Sequence, residues 1–176
     1  MPRFKGLVGA GLVGHAGVSN HSLAQWQAAE RAFGGAVLTN QVRFNLVDRG
    51  PDRDLVSWAQ REGRVVIAYS PLAQGLLSGK YQQAPPRNFR RFRSNFSAAS
   101  RAGAQPLVEA LAEIGKAKGA TSSQVALAWL IRKRNVVAIP GASSVRQVEE
   151  NVAAADLVLS DEEDATLSAL AESAFG

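Results

Sequence analysis

Val65-Val-Ile-Ala-Tyr-Ser-Pro-Leu-Ala-Gln-Gly-Leu-Leu-Ser-Gly-Lys-Tyr81 passes abruptly from branched and aromatic side chains to proline, glycine and serine. Val65 to Tyr69 therefore reads as a buried β-strand, and Ser70 to Tyr81 reads as a loop at its C-terminal end. Upstream lie a helix from Arg53 to Glu62 ended by Gly63, a strand from Val37 to Phe44, and a helix from Ser22 to Phe33 stopped by Gly34-Gly35. Downstream, Pro71 to Arg101 is irregular in composition. Apolar residues then recur at helical spacing in Pro106 to Lys118 and Thr121 to Arg134, succeeded by a strand at Asn135 to Ile139 and helices at Ser144 to Ala155 and Ser160 to Glu172. With a short strand ahead of the first helix, the order is βαβαβααβαα. Strands separated by helices pair in parallel through right-handed crossovers, so the fold class is α/β.

The 176 residues are 46% hydrophobic, 20% charged and 7% aromatic, values of an ordinary soluble globular domain. Absence of cysteine excludes disulfides and thiolate metal sites. The two histidines, His15 and His21, lack the i, i+4 spacing of paired helix ligands, so no metal site is expected. No apolar run reaches the ~18 residues that span a membrane. Arg3 and Lys5 precede a weakly apolar stretch, Gly6 to Gly14, but its glycines make it too polar for a secretory h-region, and cytoplasmic residence is expected.

Residues 1–101 hold 14 Lys and Arg against 5 Asp and Glu, whereas 102–176 hold 6 against 10. The densest basic part, Arg87, Arg90, Arg91, Arg93 and Arg101 interleaved with Phe89, Phe92 and Phe96, has a composition that suits phosphate contact and base stacking. No nucleic-acid-binding motif accompanies it. The expectation is a solvated loop with phenylalanines tucked against the body, near an anionic cofactor, and no nucleic-acid partner.

Two kinds of glycine-rich signal compete. Gly9-Ala-Gly11-Leu-Val-Gly14 matches the G-x-G-x-x-G dinucleotide fingerprint after a short candidate strand, Phe4 to Val8, with Glu30 about 20 residues on. That fold needs a helix opening in the loop and a second strand carrying the acid. Instead His-Ala-Gly-Val-Ser-Asn comes after Gly14 and Glu30 falls inside a helical repeat, so residues 1–16 are expected to be a loosely structured lead-in. The second kind consists of polar clusters at strand ends: Gly17-Val-Ser-Asn20, Gln41, Tyr69 with its succeeding loop, and Ile139-Pro-Gly-Ala-Ser-Ser144. In parallel α/β folds the loops after the strands form one ligand-binding face. Ser19, Asn20 and Gln41 offer hydrogen bonds to an amide, and Tyr69 offers a ring to stack on a heterocycle. Gly141 to Ser144 offer close backbone approach and a helix N-terminus to a phosphate. Each has a plainer reading: Ser19 and Asn20 as caps, Gln41 as a backbone partner, Tyr69 as core.

At these residues, in the phrases GVSN (17–20), AYSPLAQGLLSGKY (68–81) and IPGASSVRQVEEN (139–151), the sequence resembles the aldo-keto reductase family, notably the branch of potassium-channel beta subunits and bacterial aldo-keto reductases. The resemblance runs from about Gly17 to the C-terminus and implies a (β/α)8 TIM barrel that binds NADP(H) and reduces aldehydes and ketones by hydride transfer. By position it implies that Ser19, Asn20 and Gln41 hold the nicotinamide carboxamide and Tyr69 stacks on the ring. Ser70, Leu72, Gln74 and Gly75 track the pyrophosphate with Lys80 nearby, and Gly141, Ser143, Gln147, Glu150 and Asn151 enclose the adenosine end. Family members with lysine at the Gly141 position use it for the 2′-phosphate; Arg146 or the arginine loop would replace it here.

Family barrels need roughly twice this many residues. The matched part corresponds to the C-terminal half, the fifth to eighth βα units, so about four parallel strands are expected, with residues 17–176 as a partial reductase domain. The family's catalytic tyrosine, lysine, aspartate and histidine belong to the other half, and Tyr81, Lys80, His15 and His21 do not match their positions. The chain is therefore expected to be a catalytically incomplete reductase, a non-catalytic NADP(H)-binding or interaction module, or an inactive truncated fragment. Half a barrel has unpaired strand edges, so self-association or pairing with a separate N-terminal half is expected, with a small carbonyl substrate if complemented.

Overall fold

A computed structural model describes residues 2–86 and 96–176. Helix α1 (Pro2–Gly9) leads into strand β1 (Gly17–Ser19), then α2 (Leu23–Phe33), β2 (Thr39–Arg43), α3 (Leu55–Arg61), β3 (Val65–Tyr69), α4 (Ala98–Lys118), α5 (Ser122–Ile131), β4 (Val136–Ile139), α6 (Val145–Ala153) and α7 (Asp161–Phe175). The four strands form one parallel sheet in the order β1-β2-β3-β4, as the alternation of elements implies.

Register separates the two faces of this sheet. Val18, Asn40, Val66 and Val136 align in one row, and Val42, Ala68 and Ala138 in another, on the face covered by helices. The opposite face carries Ser19, Gln41, Ile67 and Val137, then Arg43, Tyr69 and Ile139, and every one of these is at least partly exposed. One face is core and the other is open.

The helices reach the covered face for reasons visible in their sequences. In α2 a Ser22/Gln25 capping box fixes the start and Gly34, at φ 72°, ends it, so Trp26, Ala29 and Phe33 point inward together. The Trp26 Nε1–H donates to the Val37 carbonyl at 2.9 Å, and its ring meets Trp58 of α3 edge to face at 5.1 Å. Helix α5 is buried from Val125 to Leu130, as expected for a helix wedged between sheet and neighbouring helices. Helix α7 begins with a Ser160/Glu163 capping box; the Ser160 backbone N–H, and then Lys118, hold the Glu163 carboxyl below the usual range.

Two expectations need correction. Phe4 to Val8 is helical, and the fingerprint glycines terminate that helix instead of opening one: the Ala10 N–H donates to Gly6 O and Gly11 adopts φ 70°. Glu30 lies within α2, as its helical spacing implies, and its Oε1 accepts from Arg64 Nε at 2.7 Å and the Val37 N–H at 3.1 Å. The segment from Pro71 to Arg101 contains a 3-10 stretch, Ala73–Ser78, and the first turn of α4, which begins eight residues before Pro106 with Ser97 as cap. Residues 98–105 are small or polar, so the helical period is visible only from Leu107 onward. Arg87, Arg90, Arg91, Arg93, Phe89 and Phe92 lie outside the described residues. Phe96 is buried edge-to-face on Tyr81 at 5.3 Å, and Arg101 donates to Gln82 O at 3.2 Å.

The α4–α5 turn depends on Gly115, where a Cβ would lie 2.6 Å from the Ala120 carbonyl oxygen, itself backbone. Gly115→Ala gains helix propensity of about 1 kcal/mol but forces that turn apart at a cost of about 1–3 kcal/mol. A net loss in the thermal midpoint of about 3 °C is expected by circular dichroism, and an unchanged or raised midpoint would show that the turn relaxes freely.

Candidate functional site

Two surfaces meet at the C-terminal ends of the strands. The first is a cleft of about 730 Å³ between the loop after β3 and the start of α6. It collects Ser70, Leu72, Gln74, Gly75, Lys80, Gly141, Ser143, Gln147, Glu150 and Asn151, ten of the fourteen residues singled out from the sequence. The other four, Ser19, Asn20, Gln41 and Tyr69, lie at β1, β2 and β3, with Ser19 and Gln41 in register on the open face and Tyr69 one row further.

The loop after β3 is held in an unusual backbone conformation. Ser70, Ala73 and Gln74 have φ of 52°, 47° and 61°, a left-handed region that costs non-glycine residues of order 1–3 kcal/mol each. Such strain persists only where surrounding contacts overdetermine it. Gly75 at φ 103° completes the loop; a Cβ there would meet Tyr81 Cε2 at 3.0 Å. The Ser78 hydroxyl donates to Gly75 O at 2.7 Å. Gln74 lines the cleft with its Oε1 buried and without a hydrogen-bond partner, a donor-seeking atom on the wall.

On the opposite wall, Ser144 caps α6 by accepting from the Gln147 N–H at 3.3 Å. The Gln147 side chain reaches back, its Oε1 accepting from the Ser143 N–H at 2.7 Å and the Ser143 hydroxyl at 3.0 Å. The positive end of a nine-residue helix therefore faces the cleft. Around Gly141 there is open space for a side chain, and Arg146 approaches Glu150 at 3.7 Å while remaining largely exposed.

The plainer readings of the β1 and β3 residues do not hold. Ser22 is the α2 cap, whereas the Ser19 hydroxyl donates to Gln41 O at 3.0 Å, and the Asn20 N–H donates to the same carbonyl at 2.9 Å with Asn20 at φ 55°. Tyr69 is half-buried on the open face, outside the core. Sequence reasoning missed Thr121 and Ser123, which bring the N-terminus of α5 to the same cleft, while Pro71, Ser78, Tyr81 and Pro140, all within the strand-end phrases, line it as well. Thr121 caps α5 with Gln124, and that role alone was legible. Among the described residues, no group of three or more His, Asp or Glu is arranged to hold a metal ion, and no helix is long and apolar enough to cross a membrane.

Parallel βα units with a cleft at the strand C-terminal ends define an α/β domain built like part of a barrel. The chain belongs to the aldo/keto reductase family, whose model matches residues 1–172. It is 50% identical over 161 residues to an uncharacterized oxidoreductase of Mycobacterium tuberculosis, a match covering 91% of this chain and 50% of that protein. Among solved structures, an aldo-keto reductase from Klebsiella pneumoniae in complex with NADP and acetate is 35% identical with a TM-score of 0.69, covering 94% of this chain and 51% of the other. A thermostable aldo-keto reductase in complex with the inhibitor epalrestat is 34% identical with a TM-score of 0.76, covering 95% and 52%. These neighbours are (β/α)8 barrels, and the chain spans about half the length of the relatives it matches.

Proposed function

We propose that this chain forms the NADP(H)-binding part of an aldo-keto reductase acting in the cytoplasm on small aldehydes or ketones. The observation that supports this reading is the cleft, whose facing walls come from two separate chain segments and include ten of the residues that the family resemblance implies. Its chemistry fits the cofactor: the cationic Lys80 and a helix N-terminus for phosphate, and an adjoining open face with a half-buried tyrosine. When bound, NADPH supplies the hydride for carbonyl reduction.

Ser19, Asn20 and Gln41 hold the carboxamide, and Tyr69 presents its ring to the nicotinamide. Ser70, Leu72, Gln74, Gly75 and Lys80 track the pyrophosphate, and Gly141, Ser143, Gln147, Glu150 and Asn151 enclose the adenosine. Reduction also needs a general acid to protonate the developing alkoxide. No residue of this chain matches the positions that supply it in the family, so we assign that role to βα units outside this sequence.

Titration of the purified chain with NADPH, monitored by quenching of tryptophan emission, tests the reading: saturable binding that Tyr69→Ala weakens supports it, and absence of binding overturns it. The space at Gly141 gives a second expectation. Gly141→Lys should raise the preference for NADPH over NADH by about tenfold, because a charge-assisted contact to the 2′-phosphate is worth about 1.5 kcal/mol or more. An unchanged ratio would place the adenosine end elsewhere.

A further inference from the structure

Asn45 is fully buried directly beyond β2, and each hydrogen-bonding position of its amide is used. Its Oδ1 accepts from the Val47 N–H at 2.8 Å and the Asp48 N–H at 2.9 Å. Its Nδ2 donates to Asp48 Oδ2 at 3.1 Å and to the Ser70 carbonyl at 3.0 Å. Asp48 Oδ2 in turn forms an ion pair with Arg43 Nε at 2.9 Å, without hydrogen-bond alignment, and Arg43 stands in register with Tyr69. The chain Arg43, Asp48, Asn45, Ser70 thus ties the end of β2 to the end of β3 at the residue where the backbone enters the left-handed region.

We propose that Asn45 is a positioning residue for the cofactor site: by anchoring the Ser70 carbonyl it holds the strained turn that aims Tyr69 and the loop Ser70 to Gly75. The proposal rests on the NADP(H) reading of the cleft. Asn45 acts through Ser70 and has no place among the cleft-lining residues. Removing its amide leaves the Ser70 carbonyl with the Ala73 N–H at 2.9 Å, a bond inside the turn itself, so the turn keeps its local closure and loses its tether to the end of β2. The adenosine end, built on α6, has no connection to this network and should be indifferent to it.

That separation makes the test selective. In Asn45→Ser the hydroxyl still accepts from the next backbone amides, as serine does in such turns, but is too short to reach Ser70. Binding is measured for NADPH and for adenosine 2′,5′-bisphosphate, which carries only the adenosine end. The expected result is an NADPH affinity lower by about tenfold with adenosine 2′,5′-bisphosphate affinity unchanged within twofold, a split that general loosening of the fold does not produce. Equal affinity of variant and wild type for NADPH, or equal weakening of both ligands, would overturn the proposal. Wild-type chain that binds adenosine 2′,5′-bisphosphate and NADPH equally well, with no contribution from the nicotinamide end, also overturns it while leaving the adenosine assignment standing. Wild type that binds neither ligand overturns the cofactor reading itself and this proposal with it. Should Asn45→Ser fail to fold by circular dichroism, Asp48→Asn serves instead, since it removes the carboxylate that Asn45 and Arg43 share; the same selective loss, severalfold, is expected, and its absence is equally decisive.

Discussion

Trp129→Ala is expected to remove about 3–5 kcal/mol of the chain's folding stability. The indole is fully buried in α5, meets Phe44 edge to face at 5.8 Å, and donates from Nε1 to the Ser168 hydroxyl of α7 at 3.0 Å. Lys133 Nζ and the Arg49 guanidinium lie 5.0 and 5.8 Å from its ring centre. One side chain therefore joins the loop after β2, the central helix and the last helix. Truncating a buried aromatic to alanine costs about 3–5 kcal/mol, against a total stability of about 5–15 kcal/mol for a domain. Urea denaturation monitored by circular dichroism should show a midpoint lowered in proportion. For comparison, Lys133→Met keeps the packing and removes the cation at a cost of about 1 kcal/mol, together with the Lys133 to Asp52 ion pair at 3.1 Å. If Trp129→Ala costs no more than Lys133→Met, the indole is not the joint the geometry indicates.

Legibility of this fold tracks the strength of local signals. Val65 to Tyr69 is readable because branched residues end at a proline and glycine loop, and α5 because it is apolar nearly all round, as a helix with partners on both sides must be. Helix α1 is not readable: Pro2–Gly9 is short, its glycines argue against a helix, and a dinucleotide-like spacing overlays it. The early start of α4 is hidden because propensity without apolar period marks neither helix nor loop, and Pro106 resembles a first residue although it sits inside. At the site, residues in strand-end phrases are legible from the family resemblance. Thr121 and Ser123 are not, since a threonine at a helix start is explained by capping alone. Asn45 is invisible for a different reason: its function lies in one bond to a carbonyl 25 residues away, which no local spacing records.

The open face leads to the second large effect. Val137 and Ile139 are 50% and 44% exposed on the uncovered side of β4, and Val145, Val148 and Val152 recur at i, i+3 and i+7 on α6 with no covering element among the described residues. Together with the sheet edges at β1 and β4, unpaired among the described residues, this apolar surface is a liability unless another set of parallel βα units closes over it. Those same units would bring a general acid to the nicotinamide end of the cleft, so closure and catalysis should arrive together. The purified chain alone is expected to give no NADPH oxidation with a panel of aldehydes above that of Tyr69→Ala. Mixed with a separate polypeptide carrying the first four βα units of the Mycobacterium tuberculosis relative, it should gain turnover of at least about 10²-fold, the low end of what a positioned general acid contributes. Val137→Lys places a charge where the partner must pack and should abolish the gain while leaving NADPH affinity near wild type, because Val137 lies outside the cleft lining. Light scattering provides the complementary readout: the chain alone should run as self-associated species that give way to a one-to-one complex on mixing. Turnover by a stable monomer of the chain alone would mean that the acid lies within these 176 residues and that the open face is a finished surface.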